Sequence, residues 1–218
     1  MKKIKKNIVL LSGILITILL LELFVTRTYS TIFINSRIKV SQFKQLRESV
    51  EYFVKDYSGF VSVYIKDLTD GRTVLINENK KIPAASIIKI PIMTAVYYLN
   101  EKGLISLDEE LVYEKRHRCG GSGKIKFLPY KTKFKLKDLV EVMITESDNI
   151  ATNIITEKIG LVTLNNIFKE TFGLKDTDMN RYIMNLKLRD RGVENYTTAK
   201  EIGLMLENIY QGRRRLCP

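Results

Sequence analysis

Histidine occurs once in the 218 residues, at position 117, and cysteine twice, at positions 119 and 217. A zinc centre needs three or four His, Cys or carboxylate ligands, and only His117 and Cys119 lie close together, so no metal or other cofactor is expected. A Ser-His-Asp triad would have to run through His117, so a serine nucleophile in this chain calls for a different base. The two cysteines are far apart. Outside the cell a disulfide could join them, and two unrelated free thiols are the simpler reading. Acidic residues are also scarce: 24 Asp and Glu face 36 Lys and Arg, and the net charge of +12 needs an anionic neighbour. The lysines are scattered and make no nucleic-acid-binding motif, so nucleic acid is not the expected partner. A basic surface facing an anionic cell envelope accounts for the charge.

The apolar share, 45%, is enough for a proper core in one domain, two at the most. Much of it is concentrated early. Ile8 to Thr26 is apolar apart from Glu22 near its outer end, and it follows Lys2, Lys3, Lys5 and Lys6. As a helix it would reach roughly 28 Å, near the bilayer thickness. The expectation is a cytoplasmic basic end (1–7), a membrane anchor (8–26) and a connector (27–40), with everything after Arg27 outside the cytoplasm. A cleaved signal peptide is the competing reading, though no small-x-small cleavage site follows the run. With the four lysines and Glu22 set aside, residues 27–218 carry 32 basic and 23 acidic side chains.

Beyond the connector, Phe43, Leu46, Val50, Phe53 and Val54 recur at helical spacing after Ser41. Phe60 to Ile65 and Thr73 to Ile76 flank Asp70-Gly71 and predict a β-hairpin. Helices are expected over 86–99, 137–145, 149–159 and 162–172, and Thr198 with Glu201 forms a capping box ahead of another. A hairpin alone is marginal and no later strand is obvious, so either helices cover it or its sheet is incomplete.

Two short motifs can carry chemistry. Ser86 and Lys89 stand three apart at a helix start, on one face, where free backbone N–H groups favour a developing oxyanion. Ile87, Ile88 and Ile90 surround the lysine, and desolvation would lower its pKa toward a usable base. Pro91 inside the same helix predicts a local distortion. Taken alone, such a pair arises by chance in many helices. Ser147-Asp148-Asn149 lies between two predicted helices. It exposes a hydroxyl and a carboxamide on a short corner, and it also reads as ordinary helix-capping residues.

Together these motifs resemble the serine β-lactamases of class A and the penicillin-binding proteins, whose set is Ser-x-x-Lys, Ser-Asp-Asn and Lys-Thr-Gly. The agreement extends to the residues around them: 83–92 about Ser86, Cys119-Gly-Gly-Ser-Gly, 139–153 about Ser147, and Glu194 to Ala199. It runs from about Ser41 to Gly212. The resemblance implies an α/β (α+β) fold of helices around an antiparallel sheet, with residues 41–212 as an incomplete β-lactamase-like domain. It implies Ser86 as the acylated nucleophile, Lys89 as its base, Ser147 as proton relay to the lactam nitrogen and Asn149 as holder of the substrate's side-chain amide. Asp148 would be structural. His117 and Cys119 would fall in a loop over the site, as a solvated histidine and an incidental thiol. The implied substrate is a β-lactam or a peptidoglycan-peptide-like small molecule.

The chain departs from the family in two places. Aligning on Thr197-Thr198 puts Arg181 on the family's loop arginine and Ile183 on the glutamate that activates the deacylating water. Asn185 stands where related sequences often have a later acid. Asp178, Asp190, Glu194 and Glu146 are the carboxylates nearby in sequence. A hydrolase, a penicillin-binding or sensing protein that is acylated without turnover, and an inactive remnant therefore all stand as readings. The second departure is Lys-Thr-Gly and its strands, which the chain does not reach, so weak activity and poor folding are expected of it. Residues 213–218 break the preceding helical pattern, as a frameshifted gene end would, with a basic tail as the rival reading.

Overall fold

The computed structural model describes residues 21–22, 24–29 and 40–212. The expected basic end, most of the expected anchor, Cys217 and the atypical tail lie outside the described residues. Among those described, no helix is long and apolar enough to cross a membrane. The described residues divide into two compact units, with the boundary between Phe60 and Val61. In the first, helix α1 spans 40–55 and realises the period seen from Ser41 to Val54.

The second unit opens with the hairpin. Strands β1 (Val63–Lys66) and β2 (Thr73–Ile76) pair antiparallel with Val63 opposite Ile76 and Lys66 opposite Thr73. The expected first strand begins three residues late, at Val63. The turn closes through Asp67 N to Arg72 O and Gly71 N to Asp67 O, with Gly71 at φ 77°. Next come β3 (Ile82–Pro83), a 3₁₀ turn (Ala85–Ile88) and helix α2 (Lys89–Glu101). Pro91 therefore sits in the first turn of α2, where its missing N–H costs nothing. The expected distortion is this switch from 3₁₀ to α just ahead of it.

Strands β4 (Glu110–Val112) and β5 (Lys133–Lys135) form a second ladder, missed in the sequence because each is only three residues long. Helices α3 (Leu136–Thr145) and α4 (Asn149–Ile159) follow. Then α5 (Leu161–Asn166) passes into a π turn at Ile167–Thr171. A short α6 (Leu186–Arg189) and β6 (Tyr196–Thr197) lead to α7 (Ala199–Tyr210), which Thr198 caps by accepting from Glu201 N.

Every residue of α4 from Asn149 to Thr156 is buried, as expected of a helix enclosed on all sides. Ile88, Ile92, Leu139, Met143, Ile155, Leu164 and Phe168 pack in the core it shares with α2 and α3. Helix α7 lies on the hairpin. A side-chain carbon on Gly203 would come 2.2 Å from the Tyr64 ring, and Glu207 pairs with Lys66 at 2.7 Å. Of the two ways foreseen to treat the hairpin, cover by a helix is what one of its faces receives.

Candidate active site

Ser86 lies in the 3₁₀ turn and is exposed, whereas Lys89, one turn on, is buried at the head of α2. Ala85, just before the serine, has φ 44°, a left-handed conformation that costs an L residue about 1–2 kcal/mol. Ser147 shares the feature at φ 54°. Both motifs are thus held in backbone shapes that the surrounding fold must impose.

The Lys89 amine is where the motifs meet. It donates to Ser147 O at 2.7 Å, Ser147 Oγ at 2.9 Å and Asn149 Oδ1 at 2.9 Å, and reaches Ser86 Oγ at 3.4 Å. Ser147 Oγ donates to Ser86 Oγ at 3.1 Å. Burial lowers the Lys89 pKa from its ordinary 10.5 to about 8, against the opposing pull of Asp148. An ammonium uses three N–H donors, which its three closest acceptors take up. Loss of one proton frees a lone pair facing two serine hydroxyls.

Asp148 is structural, as expected. Its carboxylate accepts from Ile150 N and Ala151 N, capping α4, and from Ile125 N of the facing loop. Asn149 Nδ2 donates to Gly120 O at 3.1 Å and Asn149 N to Ser122 O at 3.2 Å. These bonds need glycine in the loop. At Gly123, φ 105°, a side-chain carbon would stand 2.1 Å from the Asp148 carboxylate, and at Gly121, φ 82°, 2.5 Å from Asn149 Nδ2.

A cavity of about 290 Å³ opens beside Ser86. Ser122, Asn149, Ile183, Met184, Arg189 and Glu194 are among the residues that line it. Its far wall is the segment from Thr177 to Asn195, which is held by side chains from distant positions. Asn153 donates to Ile183 O and accepts from Ile183 N. Asn195 Oδ1 accepts from Asn180 N and Arg181 N, Asn195 Nδ2 donates to Arg181 O, and Arg181 pairs with Glu194. Pairing of β3 with β6 and the bond from Ala84 N to Asn195 O bring this wall to the residues preceding Ser86. Asn153 and Asn195 fall inside the stretches that resemble the family, but sequence reasoning assigned them no role, because bracing a loop from 14 or 30 residues away leaves no local pattern.

The four carboxylates near the motifs are all in ion pairs: Asp178 with Lys81 and Lys169, Asp190 with Arg189, Glu194 with Arg181 and Glu146 with Lys124. Only Glu194 borders the cavity, and Asn185 caps α6 instead. His117 is not the solvated histidine expected. It is buried, its Nδ1 accepts from Glu114 N, and its Nε2 donates to Glu157 at 2.9 Å. It lines an adjoining cavity with Cys119 and does not border the one beside Ser86. Cys119 is a free thiol, pushed up to about 11 by burial and contacted by Asn153 Nδ2 at 3.6 Å.

Comparison with known proteins identifies the family. A family model described as the β-lactamase enzyme family matches residues 44–215. A β-lactamase of Streptomyces lavendulae is 26% identical over 187 residues, which are 84% of this chain and 60% of that protein. Among solved structures, a β-lactamase from Sphaerobacter thermophilus is 30% identical with a TM-score of 0.66, over 72% of this chain and 58% of its own. PBP-A is 26% identical with a TM-score of 0.70, over 77% and 62%. A variant of PBP-A, solved as an acyl-enzyme complex with penicillin G, is equally similar at 26% and 0.70. This chain spans about 60% of the length of the relatives it matches.

Proposed function

The chain belongs to the β-lactamase enzyme family, and from that membership we propose that it reacts with β-lactams by forming an acyl-enzyme on Ser86. The single observation that carries this reading is the Lys89 amine, buried, held at a pKa of about 8 and set among Ser86, Ser147 and Asn149. Neutral Lys89 takes the Ser86 proton directly or through Ser147 while Oγ bonds to the lactam carbonyl carbon. The lactam C–N bond then breaks, and Ser147, resupplied by the Lys89 ammonium, gives the leaving nitrogen its proton. Asn149 meets the substrate's side-chain amide with the Nδ2–H that otherwise rests on Gly120 O.

Release of the acyl group needs a base beside the adduct, and the cavity wall offers none that is free. Ile183 stands on the cavity wall with no proton to exchange, and Glu194, the bordering carboxylate among the described residues, is tied to Arg181. This favours, as the second reading, a penicillin-binding or sensing protein whose adduct outlasts any turnover. A mass-spectrometric time course with a penicillin separates the readings. A transient Ser86 adduct with released product marks a hydrolase, and a persistent adduct marks a binder. No adduct, or an adduct that Ser86→Ala still forms, refutes acylation at this residue. The proposal places the domain outside the cytoplasm, tethered by residues 8–26, which protease digestion of intact cells would test.

A further inference from the structure

Residues 115–137 contain nine Lys and Arg and no Asp or Glu. Inside this run Phe127, Leu128, Pro129, Tyr130 and Lys131 are consecutively exposed, Phe127 by 78%, Leu128 by 42% and Tyr130 by 40%. Consecutive apolar side chains at a protein surface usually serve a contact. Their exposure does not come from slack backbone. Phe127 N donates to Lys124 O, Leu128 N to Ile125 O and Lys131 N to Tyr113 O, with Lys131 at φ 73°. Ile125 beneath them is buried and is bonded to Asp148. The fold presents this tip deliberately outward from the loop that also carries Gly121 and Ser122 beside Ser86.

Five of the nine cations are in ion pairs: Arg116 with Glu157, Lys124 with Glu146, Lys133 with Glu110, and Lys135 and Lys137, which share Asp108. Among the described residues no carboxylate pairs with Arg118, Lys126 or Lys131, the three cations that flank the apolar tip. The Lys126 amine lies 5.1 Å from the centre of the Phe127 ring, and the Arg118 guanidinium lies 6.0 Å from that of Tyr130.

We propose that this face docks on a bilayer containing anionic phospholipid, with Phe127 and Leu128 entering the headgroup layer and Arg118, Lys126 and Lys131 meeting lipid phosphates. Interfacial binding needs buried apolar area and attraction to anionic lipid together, and both are present here. A soluble polyanion would satisfy the cations and leave the apolar tip in water. Under the tethered arrangement proposed above, residues 8–26 hold the domain at the same surface, so a patch of modest affinity suffices.

The chain has no tryptophan, so Phe127→Trp in the full chain places a single reporter at the tip. It would be measured in vesicles of phosphatidylcholine alone and with about one-third phosphatidylglycerol, each with and without acyl-chain bromine. The expected result with anionic vesicles is a blue-shifted emission that brominated lipid quenches by about half, falling several-fold in neutral vesicles or with Lys126→Glu and Lys131→Glu added. Circular dichroism of each variant reports that the fold is kept. No bromine quenching in anionic vesicles, or equal quenching in neutral ones, overturns the proposal. A blue shift that soluble poly(glycerol phosphate) reproduces, without bromine quenching, assigns the face to a polymer and overturns it too. None of these readings depends on acylation of Ser86.

Discussion

Raising the pH from about 6 to about 9 should speed adduct formation on Ser86 by roughly two orders of magnitude, with a plateau above about 9. The magnitude follows from Lys89, whose amine titrates at about 8 because burial disfavours the ammonium. Its neutral, proton-accepting fraction is then about 1% at pH 6, about a tenth at pH 7 and about 90% at pH 9. The assay is the initial rate of the penicilloyl mass increment under single-turnover conditions. Lys89→Arg keeps a cation at the site but cannot give up its proton in this range, so its rate should be low and flat. The same titration has a stability counterpart. The folded pKa lies below the ordinary 10.5, so between about 8 and 10.5 the unfolded chain binds more protons and stability rises with pH. The full effect is about 3 kcal/mol, absent below about pH 8 and gained as the pH climbs to about 10.5. A flat acylation profile would refute the assignment of Lys89 as base.

Three further outcomes follow from the same geometry. Ile183→Glu sets a carboxylate on the cavity wall and should shorten the adduct lifetime by about 100-fold or more, the usual worth of general-base help. An unchanged lifetime in a folded variant would contradict the position given to Ile183. Gly123→Ala drives a carbon into the Asp148 carboxylate and strains a φ of 105°, so it should cost more than about 2 kcal/mol by urea unfolding. Ser147→Gly and Ser147→Ala should both lose adduct formation, yet the glycine variant should be the more stable by about 1 kcal/mol, since φ 54° suits only glycine. Equal melting of the two would show that this backbone is not under strain.

Both motifs were legible because each is local. Ser86 and Lys89 are one helical turn apart, and Ser147 to Asn149 occupy consecutive positions. The hairpin and helices α3, α4 and α7 were legible for the same reason, through alternation, apolar period and the Thr198 cap. Three things were not. The ladders of β4 with β5 and of β3 with β6 are three and two residues long, too short for alternation to register. His117 gave no sign of burial, because its partners are a backbone amide and Glu157, 40 residues on. Asn153 and Asn195 lie in stretches that resemble the family, but their bracing role appears only where the folded wall reaches them.

The amino-acid order alone determined which groups are available for chemistry: a serine and a lysine on one turn, and a second serine at a helix corner. Tertiary structure alone decided that these groups meet. Ser147 and Lys89 are 58 positions apart in the chain, and packing of α2 against α3 and α4 brings them to 2.9 Å. It also decided the electrostatics. A lysine pKa depends on how much water the folded chain removes from the amine, a property of the neighbours that surround it and not of the residues beside it in sequence.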